Sequence, residues 1–363
     1  MIKVLAVDDS ALMRRLIAEL FAEEDEFDVS FARNGVEALA MLHEQQPDVV
    51  TLDIHMPKMD GLACLDRIMV ERPCPVVMFS SLTADGARET VEALSLGAVD
   101  FVPKPSGAIS LKLDEFGPLL IDKVRAASKA RLARTHRLAE RVRLRSGVVA
   151  PPPKRVAAPR ITRRRPVFNG EAGRVVLVGC STGGPPALDA LLEPLPADFP
   201  WPIVVAQHMP ASFTGALASR LDRLCALSVA EVSRPTPLLP GCVYVGRGDA
   251  DLILSRRGED LVALSAPSSA AFRWHPSVDR LVDSALDHQS ASALIGVLMT
   301  GMGNDGAAGM TRLKAAGGRT IAEAEETAVV WGMPGELVRA GGAEFVLPLD
   351  QIAEGLMDMA VAA

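Results

Sequence analysis

Short apolar runs alternate with amphipathic stretches through the first 122 residues. Ile2–Val7, Phe27–Phe31, Val49–Leu52, Val76–Phe79 and Ala98–Val102 each read as a strand. Between the first two, Leu12, Leu16, Leu20 and Phe21 recur at helical spacing behind Ser10, a suitable cap. Glu37–Glu44, Leu62–Val70 and Ala87–Leu96 complete the alternation, with Pro47 and Gly97 as stop signals. Five short strands separated by helices predict a parallel, doubly wound sheet.

From Glu115 a thinner helical stripe runs through Ile121, Val124, Leu132, Leu138 and Val142. Pro151-Pro152-Pro153 and a mixture of prolines and arginines then lead to Pro166. This predicts a fraying helix followed by a semi-rigid linker. A second α/β pattern starts at Val175. Its strands are Val175–Val178, Ile203–Ala206, Cys242–Val245, Leu252–Leu254, Leu261–Leu264, Leu294–Leu298, Arg319–Ala322 and Phe345–Leu347. Helices are expected after Pro185, Ser212, Ser277, Asn304, Pro334 and Asp350. The expectation is a second doubly wound, mainly parallel domain.

Charge sharpens the boundaries. Residues 1–122 hold 10 basic and 22 acidic side chains, residues 123–165 hold 15 basic and one acidic, and residues 166–363 hold 13 basic and 22 acidic. Two acidic domains, 1–122 and 173–363, are thus joined by a basic linker, 123–172. That segment suits a bridge between acidic bodies. No aromatic residues interleave its arginines and no helix-turn-helix follows, so nucleic-acid binding is not expected. Aromatics make up 4% of the chain, which leaves a core of Val, Leu, Ile, Ala and Met, the palette of buried parallel strands. Five cysteines without a C-x-x-C pair point to a reduced protein without a zinc site. Met1–Val7 runs straight into Asp8-Asp9, unlike a secretory signal, and the apolar stretch 200–219 is broken by prolines, Gln207 and His208. A cytoplasmic protein without direct membrane insertion is expected.

The chemistry lies where strands end. In a parallel sheet all strand C-termini open on one edge, so Asp8, Asp9 and Asp53 should meet there. Clustered carboxylates require a cation, and an oxygen-only set suits Mg²⁺. Ser80 and Lys104 reach the same edge. A lone aspartate at a strand end is an ordinary cap; five polar groups on one edge are not. This segment resembles the receiver domain of two-component response regulators. The resemblance rests on Asp8-Asp9, on Asp53-Ile54-His55-Met56-Pro57-Lys58-Met59-Asp60-Gly61, on Ser80, and on Phe101-Val102-Pro103-Lys104-Pro105. It implies a flavodoxin-like five-stranded sheet, Asp53 as acceptor of a phosphoryl group from a sensor histidine kinase, and Mg²⁺ held by Asp8, Asp9 and Asp53. Ser80 and Lys104 would then sense the phosphate. Phe101 stands where many receivers carry Tyr, which removes any switch that needs that hydroxyl.

In the second domain Gly179-Cys180-Ser181-Thr182-Gly183-Gly184 lies between a strand and a helix. Its G-x-S-x-G pattern fits a nucleophile turn, with a glycine-rich phosphate cradle as the alternative. Cys180 is a rival nucleophile, although its side chain should diverge from that of Ser181 and pack into the sheet. Gln207-His208-Met209-Pro210 ends the next strand, and Thr300-Gly301-Met302-Gly303-Asn304-Asp305-Gly306 follows a third. Ser, His and Asp on one edge suggest a hydrolytic triad, with Asp305 as a mere helix cap the bland alternative. The order Ser…His…Asp is not that of the α/β-hydrolase fold.

With Phe272-Arg273-Trp274-His275-Pro276-Ser277-Val278-Asp279, these segments resemble the catalytic domain of the chemotaxis protein-glutamate methylesterase/protein-glutamine glutaminase (CheB) family over about 175–360. The resemblance implies phosphorylation-activated hydrolysis of glutamyl γ-methyl esters, and deamidation of glutamine side chains, on chemoreceptor cytoplasmic helices. Ser181 would be nucleophile, His208 the acid and base, and Asp305 its orienting partner. A backbone N–H near Met302 would serve the oxyanion, Thr182 would support the histidine, and His275 would line the substrate cleft or be buried structurally. No cofactor is implied for the ester hydrolysis. The competing readings are a receiver-gated hydrolase with another protein substrate and a DNA-binding response regulator.

Overall fold

The computed structural model describes residues 1–105, 113–132 and 173–361. Among these, the strands of the first domain are β1 (Ile2–Val7), β2 (Phe27–Ala32), β3 (Val49–Asp53), β4 (Val76–Ser80) and β5 (Asp100–Pro103). The helices are α1 (Ala11–Ala22), α2 (Gly35–Gln45), α3 (Gly61–Glu71), α4 (Ala84–Leu96) and α5 (Leu113–Ser128). The sheet order is β2-β1-β3-β4-β5, all parallel. Its order reverses between β1 and β3, which opens a crevice at their C-termini. Ser10, Asn34, Asp60 and Thr83 cap the first four helices through their side chains.

Two expectations shift. The buried face of α1 is Met13, Leu16, Ile17 and Phe21, while Leu12 is exposed. A pure i+4 row drifts about 40° per step around a helix of 3.6 residues per turn, so the core face must also take in the i+3 neighbour. The expected boundary at 122 falls inside α5, whose Phe116, Leu120, Val124 and Ala127 all pack in the first domain's core. Lys123 and Arg125 change the charge before the apolar stripe ends. Leu132 lies beyond the end of that helix, and Leu138 and Val142 fall outside the described residues, as does most of the expected linker.

The second domain contains β6 (Val175–Cys180), α6 (Gly184–Leu192), β7 (Ile203–Gln207), α7 (Ala211–Leu224), β8 (Ser228–Val232), β9 (Thr236–Pro237) and β10 (Cys242–Gly246). The chain continues with β11 (Ala250–Arg257), β12 (Asp260–Pro267), α8 (Val278–His288), β13 (Leu294–Leu298), α9 (Ala307–Ala315), β14 (Arg319–Glu323), α10 (Met333–Arg339), β15 (Phe345–Leu347) and α11 (Leu349–Val361). Seven strands make a parallel sheet in the order β15-β14-β13-β6-β7-β10-β8. Strands β6 and β13 are neighbours from which the chain winds outwards in opposite directions, so a second crevice opens at their C-termini. The antiparallel sheet β11-β12-β9 lies outside this frame. Among the described residues no helix is long and apolar enough to cross a membrane.

Candidate active site

In the first domain Asp8, Asp9 and Asp53 each bring a carboxylate oxygen within 4.8 Å of the others. Lys104 Nζ lies 2.7 Å from Asp53 Oδ2 and 3.0 Å from Asp8 Oδ2. Asp8 Oδ2 is buried and, despite that ion pair, accepts no hydrogen bond of good geometry. An oxygen-only set, one of whose buried oxygens meets Lys104 without a well-aligned hydrogen bond, fits Mg²⁺. Burial pushes the Asp53 carboxyl above its ordinary range, against the pull of Lys104. Gly61 is required here, because a Cβ would lie 2.1 Å from the Asp53 carbonyl oxygen. Ser80 ends β4 as expected, but its hydroxyl donates toward the carbonyls of Ser81 and Gly86, accepts from Thr90, and does not turn to Asp53.

In the second domain Cys180 pairs with Gln207 in the β6–β7 register, so Ser181 and His208 leave adjacent strand ends together. His208 N–H donates to the Cys180 carbonyl at 3.1 Å, and Ser181 N–H to Thr300 O at 3.0 Å. The turn is locked from several sides. Gly183 has φ +76°, which favours glycine, and a Cβ on Gly184 would lie 1.9 Å from Gln207 Oε1. Gln207, given no role from sequence, clamps the turn. Its Nε2 donates to the carbonyls of Ser181 and His208, both at 3.0 Å, and its Oε1 accepts the Cys180 thiol at 3.0 Å. Cys180 is fully buried, and burial drives its thiol far above the ordinary range; it cannot supply a thiolate.

Asp305 carries more than a capping role. Its Oδ2 accepts His208 Nε2 at 2.8 Å and Val278 N–H at 2.7 Å, while Oδ1 accepts Ser277 Oγ at 3.0 Å and Asp279 N–H at 3.1 Å. Asp305 does not cap its own helix α9, whose N-cap is Gly306 without a side-chain bond; it accepts from the first turn of α8 and faces the histidine. Burial raises its pKa, but the hydrogen bond and charge of His208 and the two N–H groups outweigh that, and the net direction is downward. An ionised Asp305 requires the proton of neutral His208 to sit on Nε2. Nδ1 then carries the lone pair, and it is buried without a hydrogen-bond partner. No hydrogen bond joins Ser181 to His208 among the described residues. The Ser181 Cβ lies against Gly301, where an added Cβ would sit 2.8 Å away.

Trp274, quoted from sequence without a role, stacks on the His208 ring at 5.5 Å between centroids and 12° between planes. With Arg273, Met302, Asn304 and Asp305 it lines a cavity of about 340 Å³, to which Asp122 of the first domain also contributes. His275 is not among the residues that line this cavity. Its Nδ1 lies 2.8 Å from the fully buried Asp251, which also accepts Ser277 N–H and an Arg280 N–H. The buried carboxylate of Asp251 in β11 thus holds His275, the structural role left open beside the cleft. Thr182 likewise does not reach His208. Its hydroxyl donates to Asp100 of the first domain, whose other oxygen accepts Lys123 at 2.6 Å.

The domains therefore meet at the edge that carries Ser181. Gly183 N–H donates to Val99 O at 3.1 Å, Phe101 packs on Phe213 at 4.4 Å, and Arg273 reaches Asp122 at 3.2 Å. A receiver-type sheet that carries an aspartate cluster, pressed onto the strand edge that bears Ser181 and His208, defines a class: response regulators with an α/β output domain. The comparisons name the family. Residues 4–113 match the response regulator receiver domain, and residues 176–356 match CheB methylesterase. A protein-glutamate methylesterase/protein-glutamine glutaminase 2 of Rhodopseudomonas palustris (strain BisB18) is 56% identical over 358 residues, 99% of this chain and 98% of that one. A counterpart numbered 3 from Rhodospirillum rubrum is 52% identical over 353 residues, 97% and 95% of the two chains. The crystal structure of the Thermotoga maritima CheB methylesterase catalytic domain is 41% identical, with a TM-score of 0.50, covering 52% of this chain and 100% of that one. The chain belongs to the CheB methylesterase family, with a receiver domain at its N-terminus.

Proposed function

We propose that this protein hydrolyses γ-glutamyl methyl esters, and the side-chain amides of glutamine, on the cytoplasmic helices of chemoreceptors. In this reading it works in the cytoplasm and is activated by a phosphoryl group that a sensor histidine kinase transfers to Asp53. The observation that carries the chemistry is the His208–Asp305 pair on the strand edge where Ser181 also emerges, with Trp274 stacked on His208 and Asp305 lining the adjoining cleft. Ser181 Oγ attacks the ester carbonyl carbon while His208 Nδ1 takes its proton. The oxyanion is stabilised by backbone N–H groups near Met302. When the tetrahedral species collapses, His208 returns the proton to the departing methoxide and methanol leaves. Water, deprotonated by the same nitrogen, attacks the acyl-serine and frees glutamate. With a glutamine substrate the leaving group is ammonia. Thr182 acts as an interdomain anchor in this scheme and does not support the histidine.

The receiver supplies control. In the unphosphorylated arrangement it occupies the Gly183 N–H and the Thr182 hydroxyl next to the nucleophile, and Asp122 narrows the cleft. A receptor helix is too bulky to share that edge. Mg²⁺ on Asp8, Asp9 and Asp53 would offset charge during phosphoryl transfer, and Lys104 would pair with the phosphorylated Asp53. Methanol release from methylated receptor tests the chemistry: Ser181→Ala should lower it by about 10⁴-fold. A rate near wild type would refute the assignment of the nucleophile.

A further inference from the structure

Glu323 ends β14, two strands away from β6, and its side chain is fully buried. No Lys, Arg or His pairs with it among the described residues. Its Oε2 accepts Thr300 N–H at 2.7 Å and its Oε1 accepts the Thr327 hydroxyl at 3.1 Å. Burial pushes its carboxyl up to about 7. An unpaired buried carboxyl is costly, and an apolar side chain would fill the same place without that cost.

What the carboxyl holds is Thr300, and Thr300 holds the nucleophile turn. Its carbonyl accepts Ser181 N–H at 3.0 Å, and its hydroxyl donates to the Thr182 carbonyl at 2.9 Å while accepting Val330 N–H at 3.0 Å. The next residue, Gly301, abuts Ser181 Cβ and leads into Met302 on the cleft wall. One peptide unit thus ties together the nucleophile and the segment expected to serve the oxyanion.

We propose that Glu323 is a positioning residue for the hydrolysis: through Thr300 it fixes the Ser181 turn and the Gly301–Met302 segment relative to each other. This rests on Ser181 being the nucleophile. The test compares full-length Glu323→Asp, Glu323→Ala and Glu323→Gln with Ser181→Ala on methylated receptor, and reads kcat and KM separately. Shortening or deleting the side chain should lower kcat about tenfold to a hundredfold with KM within about twofold, because a small misplacement of reacting groups costs that much. Glu323→Gln keeps an oxygen for Thr300 N–H and should recover kcat to within about threefold of wild type, a rescue that lost packing alone would not give. The labelling rate of Ser181 by a fluorophosphonate should follow kcat, and melting curves establish that each variant is folded. Glu323→Asp is the variant that decides if Glu323→Ala fails to fold. A folded Glu323→Asp with wild-type kcat, beside an inert Ser181→Ala, overturns this proposal alone. An active Ser181→Ala overturns the nucleophile and this proposal with it.

Discussion

Replacing Asp305 by Asn separates its two duties. The carboxylate accepts four hydrogen bonds, from His208, Val278, Asp279 and Ser277. An amide has one oxygen and one NH₂ group. If the oxygen takes the place of Oδ2, the NH₂ faces Asp279 N–H, donor against donor. If the NH₂ takes that place, it faces Val278 N–H and forces His208 to accept on Nε2. The proton then moves to Nδ1, the nitrogen that should receive the Ser181 proton. Either way one buried N–H loses its partner, at a cost of about 1–3 kcal/mol in stability. The second orientation also leaves the wrong tautomer, which in serine-triad enzymes costs about 10⁴ in kcat. Asp305→Asn should therefore lower kcat by about 10³–10⁴-fold with little change in KM, and lower the unfolding free energy by about 1–3 kcal/mol. Steady-state methanol release and urea titration measure the two effects. A variant that loses stability yet keeps kcat within tenfold of wild type would reduce Asp305 to the cap of α8 and refute the triad.

Further outcomes follow from other sites. Cys180→Ala should leave kcat within about threefold of wild type, since burial holds the thiol protonated; loss of activity without loss of fold would reopen the choice of nucleophile. Glu323, pushed up to about 7 from an ordinary 4.5, keeps a proton in the folded protein that the unfolded chain has released between those values. Stability should thus fall as pH rises through that window, by on the order of 3 kcal/mol from this group. Urea titrations at pH 5 and 8 should show a smaller fall in Glu323→Gln, and an equal fall would contradict the shift. Asp100→Ala removes the partner of the Thr182 hydroxyl and should raise the unphosphorylated rate about tenfold, because about 1.4 kcal/mol suffices for that shift. Asp53→Ala should stay at the basal rate in the presence of a phosphodonor, and activation of that variant would place the switch elsewhere.

Much of this was legible in the chain because parallel sheets are monotonous. Apolar runs such as Val49–Leu52 or Leu294–Leu298 are buried on both faces, and the few residues that follow each run reach the sheet's C-terminal edge. That rule alone gathers Asp8, Asp53, Ser181 and His208. It fails where a strand is not buried on both sides. Strand β8 reads Ser-Val-Ala-Glu-Val at the sheet edge, and its alternation hid it from a search for apolar runs. Strands β11 and β12 extend well beyond their apolar centres, because an antiparallel ladder tolerates polar flanks. Side chains that act on other side chains were hidden too. Gln207 and Trp274 lie in the segments that bear His208 and His275, yet nothing in spacing reveals a clamp or a ring stacked on His208. Asp100 and Glu323 look like ordinary polar residues bounding strands; only the fold shows one facing Thr182 and the other Thr300.

The placement of Asp100 also bears on how the receiver could act at a distance. Strand β5 spans only Asp100–Pro103, about 13 Å of extended chain. At its end Lys104 N–H donates to Ser80 O at 2.7 Å, and Lys104 Nζ reaches Asp53. At its start Val99 and Asp100 hold Gly183 and Thr182. One short strand therefore adjoins Asp53 at one end and the Ser181 turn at the other. Phe101, between them, packs on Phe213 of the catalytic domain. On the proposed reading, phosphorylation need not move a domain by itself. Drawing Lys104 and Ser80 toward the phosphoryl group has only to disfavour the β5 position that satisfies Thr182 and Gly183. A buried hydrogen bond to a charged group contributes about 1.5–3 kcal/mol, so losing its alignment is enough to change the open population tenfold or more. The contacts that hold the enzyme closed then lie within one residue to two of Ser181, and their release would free the edge that the substrate helix must reach.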